Sequence, residues 1–413
     1  MTSFNMSTAV ELTKRLYPDG LEEILYKKVP TYGVLSKWKN FTNEGKFLVW
    51  KYATGGGASS VFANAQANKG ASSFKRPFIQ RSKEYALASM DGEFLDATSG
   101  NPEAIAEGFK VAMDDALYNV SRAVGFNMFR NGGGARAQLA ASGAITTTTV
   151  SNDTLTLTSD SSMQGIEKGM WLNAAATDGT SGSVLSGKVQ VLAVDRVAKT
   201  IQVTTDVTVS IPTIGNSYYL FRDGDFGNVM KGFQAWVPDS APTVGDSFFG
   251  IDRSSDPTRL GGLRYAPTSG TIQEILVAAS ALAYDHGAEP DLVVLNPLDM
   301  ANLINQVGSK ATIPVKTDKP NIGYSGVELY GAAGRMTIMS DPSCQRHKAW
   351  MLTSDTWEIW CLGEVPRVLN RDGQETLREA NADADELRVG GYLQMVCFNP
   401  RDNVNITLPS VGG

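Results

Sequence analysis

Residues 54–75 read TGGGASSVFANAQANKGASSFK, a run made almost entirely of small and polar residues. Strand-like segments flank it, FLVWKY at 47–52 and FIQRSKEY at 78–85. Two strands joined by about twenty small residues predict a long projecting β-hairpin, and loops of that length in compact domains are usually functional. We therefore expect 45–100 to form an extended hairpin loop with a functional tip; a flexible surface loop is the alternative.

A long helix is predicted directly after this hairpin. Asn101 suits the N-cap, Pro102 suits the first helical position, and Glu103 lies near the positive end of the helix dipole. Apolar or small residues then recur every three or four positions until Gly132, which ends the pattern. The spacing predicts a helix over 102–130. Its inward face is expected to contain Ile105, Phe109, Ala112, Ala116, Val120, Ala123 and Asn127.

The composition changes at residue 144. Short alternating segments follow, such as LTLT at 155–158 and VQVLAV at 189–194, separated by loops rich in glycine, serine and threonine. Such strands without a helical pattern predict a small all-β barrel or sandwich, inserted into a mixed chain of the α+β class. The expected segments are an N-terminal arm at 1–44, the hairpin loop at 45–100, the helix at 101–143, the β insertion at 144–222, a return segment at 223–269, a second mixed domain at 270–386 and closing strands at 387–413.

The composition excludes several classes of protein. Only 19% of the 413 residues are charged, against about 25% in an average soluble protein. The 37 basic and 43 acidic residues give a net charge of −6, which argues against tight binding to nucleic-acid phosphates. We find no apolar stretch near the ~20 residues of a membrane span and no secretory signal. Three cysteines without close spacing indicate a reducing compartment.

The sequence contains no catalytic constellation. The two histidines, His286 and His347, lack the spacing of metal ligands, and His286 suits the C-terminal end of a helix. The DGDFG segment at 223–227 resembles a kinase magnesium motif without its companion motifs, so Asp223 is the residue to test for a metal-dependent enzyme. Phosphate-loop and hydrolase signatures are missing. We expect a chain that is not an enzyme and that takes no cofactor and no metal.

Basic residues cluster on the predicted hairpin, with Phe74 and Phe78 between them. Such a stripe could stack on single-stranded nucleic acid, or it could pair with an acidic patch on a neighbouring copy of the chain. We favour the neighbouring copy. The candidate residues for contacts between copies are Lys69, Lys75, Arg76, Arg81 and Lys83 on the basic side and Asp383, Asp385 and Glu386 on the acidic side.

Four parts of the chain together carry a family resemblance: the hairpin at 45–95, the helix at 102–130, the segment 226–238, and LRVGGY through FNPR at 387–401. Their order resembles the major capsid proteins of tailed bacteriophages, which have the HK97-like fold. The resemblance covers nearly the whole chain. It implies a peripheral domain that contains the long helix, an axial domain at 270–386, and an extended loop that lies over the next subunit. The β insertion would be an addition to the minimal fold.

The resemblance also implies a function and a set of partners. The chain would assemble as hexamers and pentamers into the icosahedral head around a double-stranded DNA genome, with a portal protein at one vertex. A separate scaffolding protein, a decoration or cement protein, and loose contact with packaged DNA are expected, and no membrane. The protein would be assembled in the host bacterial cytoplasm and reside in the virion. Some members crosslink a loop lysine to a neighbour's asparagine, for which Lys69, Lys75 and Lys83 are the candidates here.

Two other functions fit parts of this pattern. One is an encapsulin-like compartment of the same fold, which cargo-enzyme genes beside this gene would indicate. The other is a β-rich tail or adhesin subunit that binds carbohydrate through the insertion at 144–222, with Trp171 as the stacking platform. We expect Trp171 to be a core residue instead.

Overall fold

The computed structural model describes residues 29–93, 102–146, 152–158, 163–204, 206–307, 327–370, 376–379 and 382–409. The chain forms two compact units. Unit 1 comprises Met1–Val34, Ser82–Met230 and Cys361–Leu393, and unit 2 comprises Leu35–Arg81, Lys231–Trp360 and Gln394–Gly413. Residues 1–28 of the predicted arm and the predicted N-cap Asn101 lie outside the described residues.

Helices and strands alternate irregularly along the chain, as expected for the α+β class. The helices are α1 (Pro30–Val34), α2 (Phe62–Ala67), α3 (Pro102–Met128), α4 (Val207–Ser210), α5 (Phe233–Trp236), α6 (Pro257–Gly261), α7 (Ile272–Asp285) and α8 (Pro297–Val307). The strands before and within the insertion are β1 (Ser36–Trp38), β2 (Gly45–Phe47), β3 (Trp50–Ala53), β4 (Ser73–Lys75), β5 (Phe78–Gln80), β6 (Ser82–Asp91), β7 (Ala135–Gln138), β8 (Ile145–Thr146), β9 (Asn152–Thr156), β10 (Trp171–Ala175), β11 (Val189–Asp195), β12 (Thr200–Thr204) and β13 (Tyr219–Arg222). The later strands are β14 (Leu263–Tyr265), β15 (Leu292–Leu295), β16 (Val327–Gly331), β17 (Gly334–Ser340), β18 (Lys348–Leu352), β19 (Trp357–Cys361), β20 (Arg367–Val368), β21 (Thr376–Arg378), β22 (Ala384–Cys397) and β23 (Val404–Thr407).

The long helix and a long antiparallel strand pair organise unit 1. Helix α3 confirms the predicted helix and packs against β6. The predicted inward positions Ala116, Val120, Ala123 and Asn127 are buried, because residues three and four apart lie on one helix face. Strand β6 in turn pairs with β22 from Ser82 opposite Leu393 to Asp91 opposite Ala384. Strands β20 and β21 also pair with β22.

The predicted β insertion is a seven-stranded sheet in unit 1, with strand order β7-β13-β10-β11-β12-β9-β8. Along each strand every second residue points into the core. Leu155, Val191 and Val203 are examples, each at most 1% exposed. Two details differ from the sequence prediction. Strand β7, which precedes residue 144, joins the sheet because it pairs with β13. A short helix, α4, also occurs in the region, where the Asp206 side chain accepts hydrogen bonds from the first turn.

A six-stranded sheet in unit 2 has the order β14-β23-β18-β15-β17-β16. Helix α7 starts at a capping box formed by Thr271 and Glu274 and buries Ile275 and Leu276 in the core that contains the sheet. Strand β15 is apolar and buried at every position. His286 is the C-cap of α7, as expected.

The two closing strands lie in different sheets and do not pair with each other. Strand β22 pairs with β6, whereas β23 pairs with β14 and β18, the latter within 270–386. The cause is the connection: a 3-10 helix at Pro400–Asp402 separates the strands, and buried Asn403 fixes its end. The Asn403 side chain accepts hydrogen bonds from the Thr353 amide at 3.0 Å and from the Trp357 indole at 2.7 Å.

We expect Asn403→Ala to lower the free energy of unfolding by about 2–3 kcal/mol, because the Thr353 and Trp357 N–H groups would lose their acceptor inside the fold. Urea unfolding followed by tryptophan fluorescence measures the change. Asn228→Ala is the control, since Asn228 is exposed and donates one hydrogen bond to the Gly224 carbonyl, and its effect should stay within about 0.5 kcal/mol. Equal effects of the two substitutions would show that Asn403 does not hold the connection.

Candidate assembly surfaces

The base of the hairpin is fixed to the body of unit 2. Strand β2 pairs with β5 and strand β3 with β4, so the two arms are held in register. The Trp50 ring meets the Trp236 ring edge to face at 5.7 Å between centroids. The Phe78 amide donates a hydrogen bond to the Phe249 carbonyl at 3.0 Å. These contacts come from both arms, so the hairpin leaves unit 2 from an ordered base.

The tip of the hairpin, residues 54–72, is folded and carries exposed apolar side chains. Its neck is closed by a hydrogen bond from the Gly56 amide to the Gly70 carbonyl at 2.9 Å. Helix α2 lies in the tip, so the tip contains regular secondary structure. None of the α2 residues is buried, Phe62 is 81% exposed, and the neighbouring Val61 is 52% exposed. Apolar groups presented together in this way mark an interaction surface.

The charged residues of the hairpin are all basic. Residues 45–81 contain no acidic residue, and their cations are Lys46, Lys51, Lys69, Lys75, Arg76 and Arg81. Lys69 and Arg76 are exposed, and the Lys75 ammonium lies 5.9 Å from the centroid of the Tyr52 ring. Arg81 differs from these three, because its guanidinium binds the Phe41 carbonyl and stacks over the Phe41 ring inside unit 2.

The remaining candidates lie in unit 1, on the β6–β22 pair or, in the case of Asp383, directly before β22. Lys83 is exposed on β6 opposite Tyr392. Asp383 forms an exposed ion pair with Arg378 at 3.5 Å. Glu386 forms an ion pair with Arg388, and Asp385 stands opposite Met90 in the strand register. Unit 1 thus contains Lys83 and the three carboxylates on or directly beside one strand pair, whereas Lys69, Lys75, Arg76 and Arg81 belong to unit 2.

An apolar groove of about 550 Å³ lies beside these carboxylates in unit 1. Tyr85 and Leu87 of β6 line it and are 44% and 58% exposed, although both are large apolar side chains. Leu377 lines the groove as well, and Glu386 and Arg388 carry its charges. The sequence interpretation missed this groove. Its signal was the alternation in β6, where Ser82 and Glu84 are buried and Tyr85 and Leu87 point outward.

A buried ion-pair cluster ties the insertion to the rest of unit 1. Arg222 of β13 binds Glu84 of β6 at 2.5 Å and Asp225 at 2.8 Å, and Arg136 of β7 binds Asp225 at 2.7 Å. The Glu84 side chain is 5% exposed. Burial raises the pKa of Glu84, while the positive charge of Arg222 opposes that rise. The cluster therefore depends on Arg222 to keep the Glu84 charge compensated.

The DGDFG segment contributes Asp225 to this cluster. Asp225 binds the two arginines, whereas Asp223 is exposed and pairs with Lys188 at 2.7 Å. Within the described residues there is no group of three or more His, Cys, Asp or Glu side chains arranged to hold a metal ion. None of the helices in that part of the chain has the length and hydropathy that a membrane crossing needs.

Trp171 is not a core residue, so that expectation is wrong. It is 43% exposed because it is the outward residue of β10, whose next residue Leu172 is fully buried. The exposed ring is not an open platform either. The Lys188 ammonium lies 5.3 Å from its centroid, held there by the ion pair with Asp223.

No protein-family model and no curated protein matches the chain. Among solved structures, the chain is similar to the capsid asymmetric unit of cyanophage A-1(L), with 12% identity over 93% of each chain and a TM-score of 0.53. It also aligns with the capsid of the native GTA particle, at 9% identity over 92% of this chain and 89% of that chain with a TM-score of 0.45. A structure from Mycobacterium phage Bobi aligns at 8% identity over 93% and 91%, with a TM-score of 0.44.

The likeness to the cyanophage subunit assigns the fold. The chain has the α+β fold of a phage capsid subunit with additional β content, so the predicted HK97-like fold is confirmed. The resemblance to the major capsid proteins of tailed phages, which was drawn from the order of hairpin, long helix and insertion, is confirmed at the level of the fold.

Proposed function

We propose that this chain is a major capsid protein, which assembles in many copies into the icosahedral head of a tailed bacteriophage around its double-stranded DNA. The observation that carries the proposal is the ordered hairpin of a capsid-type fold, whose tip exposes Phe62 and Val61 without a partner in unit 2. Exposure of these apolar side chains to water does not stabilise an isolated subunit, whereas contact with a neighbouring subunit would bury them.

The hairpin tip contacts unit 1 of a neighbouring copy in this proposal. The groove beside Tyr85 and Leu87 is apolar, and Asp383, Asp385 and Glu386 give its strand pair negative charge. The hairpin carries basic residues only, so the two surfaces are complementary in both hydrophobicity and sign of charge. Lys69, Lys75 and Arg76 are the tip-side candidates. Lys69, Lys75 and Lys83 also remain the candidates for a covalent crosslink to a neighbour's asparagine.

The wider expectations belong to the same proposal. The subunits form hexamers and pentamers, with a portal protein at one vertex, a separate scaffolding protein and a decoration protein. The peripheral and axial domain division, with the insertion at 144–222, is part of it as well. Packaged DNA makes only loose contact, which agrees with the net charge of −6. The chain has a structural role without catalysis, is assembled in the bacterial cytoplasm and resides in the virion.

Sedimentation velocity of the purified full chain tests this function. Expressed with its neighbouring genes, the chain is expected to sediment as uniform particles of many copies. A monomer under every assembly condition would contradict the proposal. Particles that form without packaging genes and that contain cargo enzymes would instead indicate the encapsulin-like compartment.

A further inference from the structure

The charged side chains that line a second cavity of unit 1 are mostly basic. It has a volume of about 380 Å³ and is lined by residues of α3, β6, β7, β13 and the loop at 165–170, among them Tyr85 and Leu87, which also line the apolar groove. Liquid water takes about 30 Å³ per molecule, so the cavity has room for a small hydrated ion. The charged groups that line it are Arg122, Arg136, Lys168 and Arg222, with Glu167 as the one carboxylate among them.

The carboxylates near this cavity are shared between arginines. Glu167 pairs with Arg122 and also with Arg196 at 2.8 Å. Asp225 likewise pairs with both Arg136 and Arg222, and the remaining carboxylate, Glu84, binds Arg222. Four arginines therefore use three carboxylates, and Lys168 adds a further positive charge. The cluster has an excess of positive charge around a cavity that solvent can fill.

Arg136 has binding capacity that the protein does not use. The residue is 4% exposed, and its Nε–H has no hydrogen-bond partner, while its Nη2 binds Asp225. The pKa of Arg122 is lowered by burial and further by the charges of Arg196 and Arg136. An anion between these groups would relieve that repulsion.

We propose that this cavity binds a tetrahedral oxyanion of the phosphate class through Arg122, Arg136 and Lys168. Arginine forks match phosphate oxygens in geometry and keep their charge when buried. The anion would also compensate the excess charge where β13 of the insertion meets α3 and β7. All residues of this site belong to one copy of the chain.

Isothermal titration calorimetry on the full chain tests this site, with sodium phosphate and a nucleoside monophosphate as the two ligands and sodium chloride at equal ionic strength as the blank. We expect saturable binding of phosphate that Arg122→Gln weakens at least tenfold. This variant leaves Glu167 paired with Arg196. Lys168→Met, at an exposed position that should not disturb folding, is expected to weaken binding about threefold. Lys188→Met, an exposed lysine outside the cavity, should bind as the unmodified chain does.

Binding of both ligands would show that a phosphate group on a larger molecule is accepted, and binding of inorganic phosphate alone would show a site for the free ion. Either result supports the proposal. The proposal is overturned if phosphate gives no more heat than chloride, or if Arg122→Gln and Lys168→Met both leave the affinity unchanged.

Discussion

Arg222→Met is expected to lower the free energy of unfolding by about 3–5 kcal/mol, because removing one partner of a buried ion pair leaves the other charge uncompensated. Arg222 is the residue that binds Glu84, whose side chain is 5% exposed. Asp225 keeps Arg136 as a partner, so the loss falls mainly on Glu84. Urea unfolding of unassembled subunits, followed by fluorescence, measures the change.

Two further variants test whether the loss of stability comes from the uncompensated charge of Glu84. Lys188→Met removes a cation from the exposed pair with Asp223 in the same insertion, and such pairs contribute about 0–1 kcal/mol. The double variant Glu84→Leu with Arg222→Met removes both charges and should recover a large part of the loss. If Arg222→Met cost no more than Lys188→Met, the buried cluster would not be what joins β13 to β6.

Replacing residues 54–72 by a two-residue Asn-Gly turn is expected to abolish shell assembly while the subunit still folds. Ala53 and Ser73 stand opposite each other in the β3–β4 pair, so a two-residue turn can connect the arms. The removed tip contributes no buried helix residue, so the unfolding midpoint should change little. Sedimentation velocity measures assembly, and thermal unfolding of the subunit measures folding.

A point substitution tests whether the apolar side chain of the tip is needed for assembly. Phe62→Ser should reduce the yield of particles at least tenfold, because Phe62 is 81% exposed in the subunit and buried only by a neighbour in this account. Val197→Ser is the matched control, since Val197 is 94% exposed on a turn of the insertion. Normal yield of stable particles from the Phe62→Ser chain would show that the tip does not clamp neighbouring subunits.

Local patterns in the sequence predicted local structure well. The periodicity of α3 lies within one segment, as do the capping box of α7 and the apolar run of β15. The order of these parts also sufficed to predict the capsid-type fold. Long-range pairing was less accessible: β23 joins β18 rather than β22, because Asn403 forms side-chain contacts that a propensity pattern does not contain.

The candidate surfaces were predicted only in part. Basic residues near Lys69 and Lys75 stand out in the sequence as a cluster without acids. The role of Arg81 depends on the position of Phe41, forty residues earlier in the chain, and no pattern in the sequence indicates it. Trp171 shows a second limit. In a strand the alternation defines two faces without saying which is buried, so Trp171 was assigned to the wrong one.

The central claim is that the chain closes into a shell in which the hairpin of one subunit lies on the next. Electron cryomicroscopy of particles purified from cells that express the full chain with its neighbouring genes tests it most directly. We predict a closed icosahedral shell around double-stranded DNA, in which Phe62 of each subunit is buried against unit 1 of a neighbour. A shell in which the tip at 54–72 contacts no other subunit, or preparations that contain only monomers, would contradict the account.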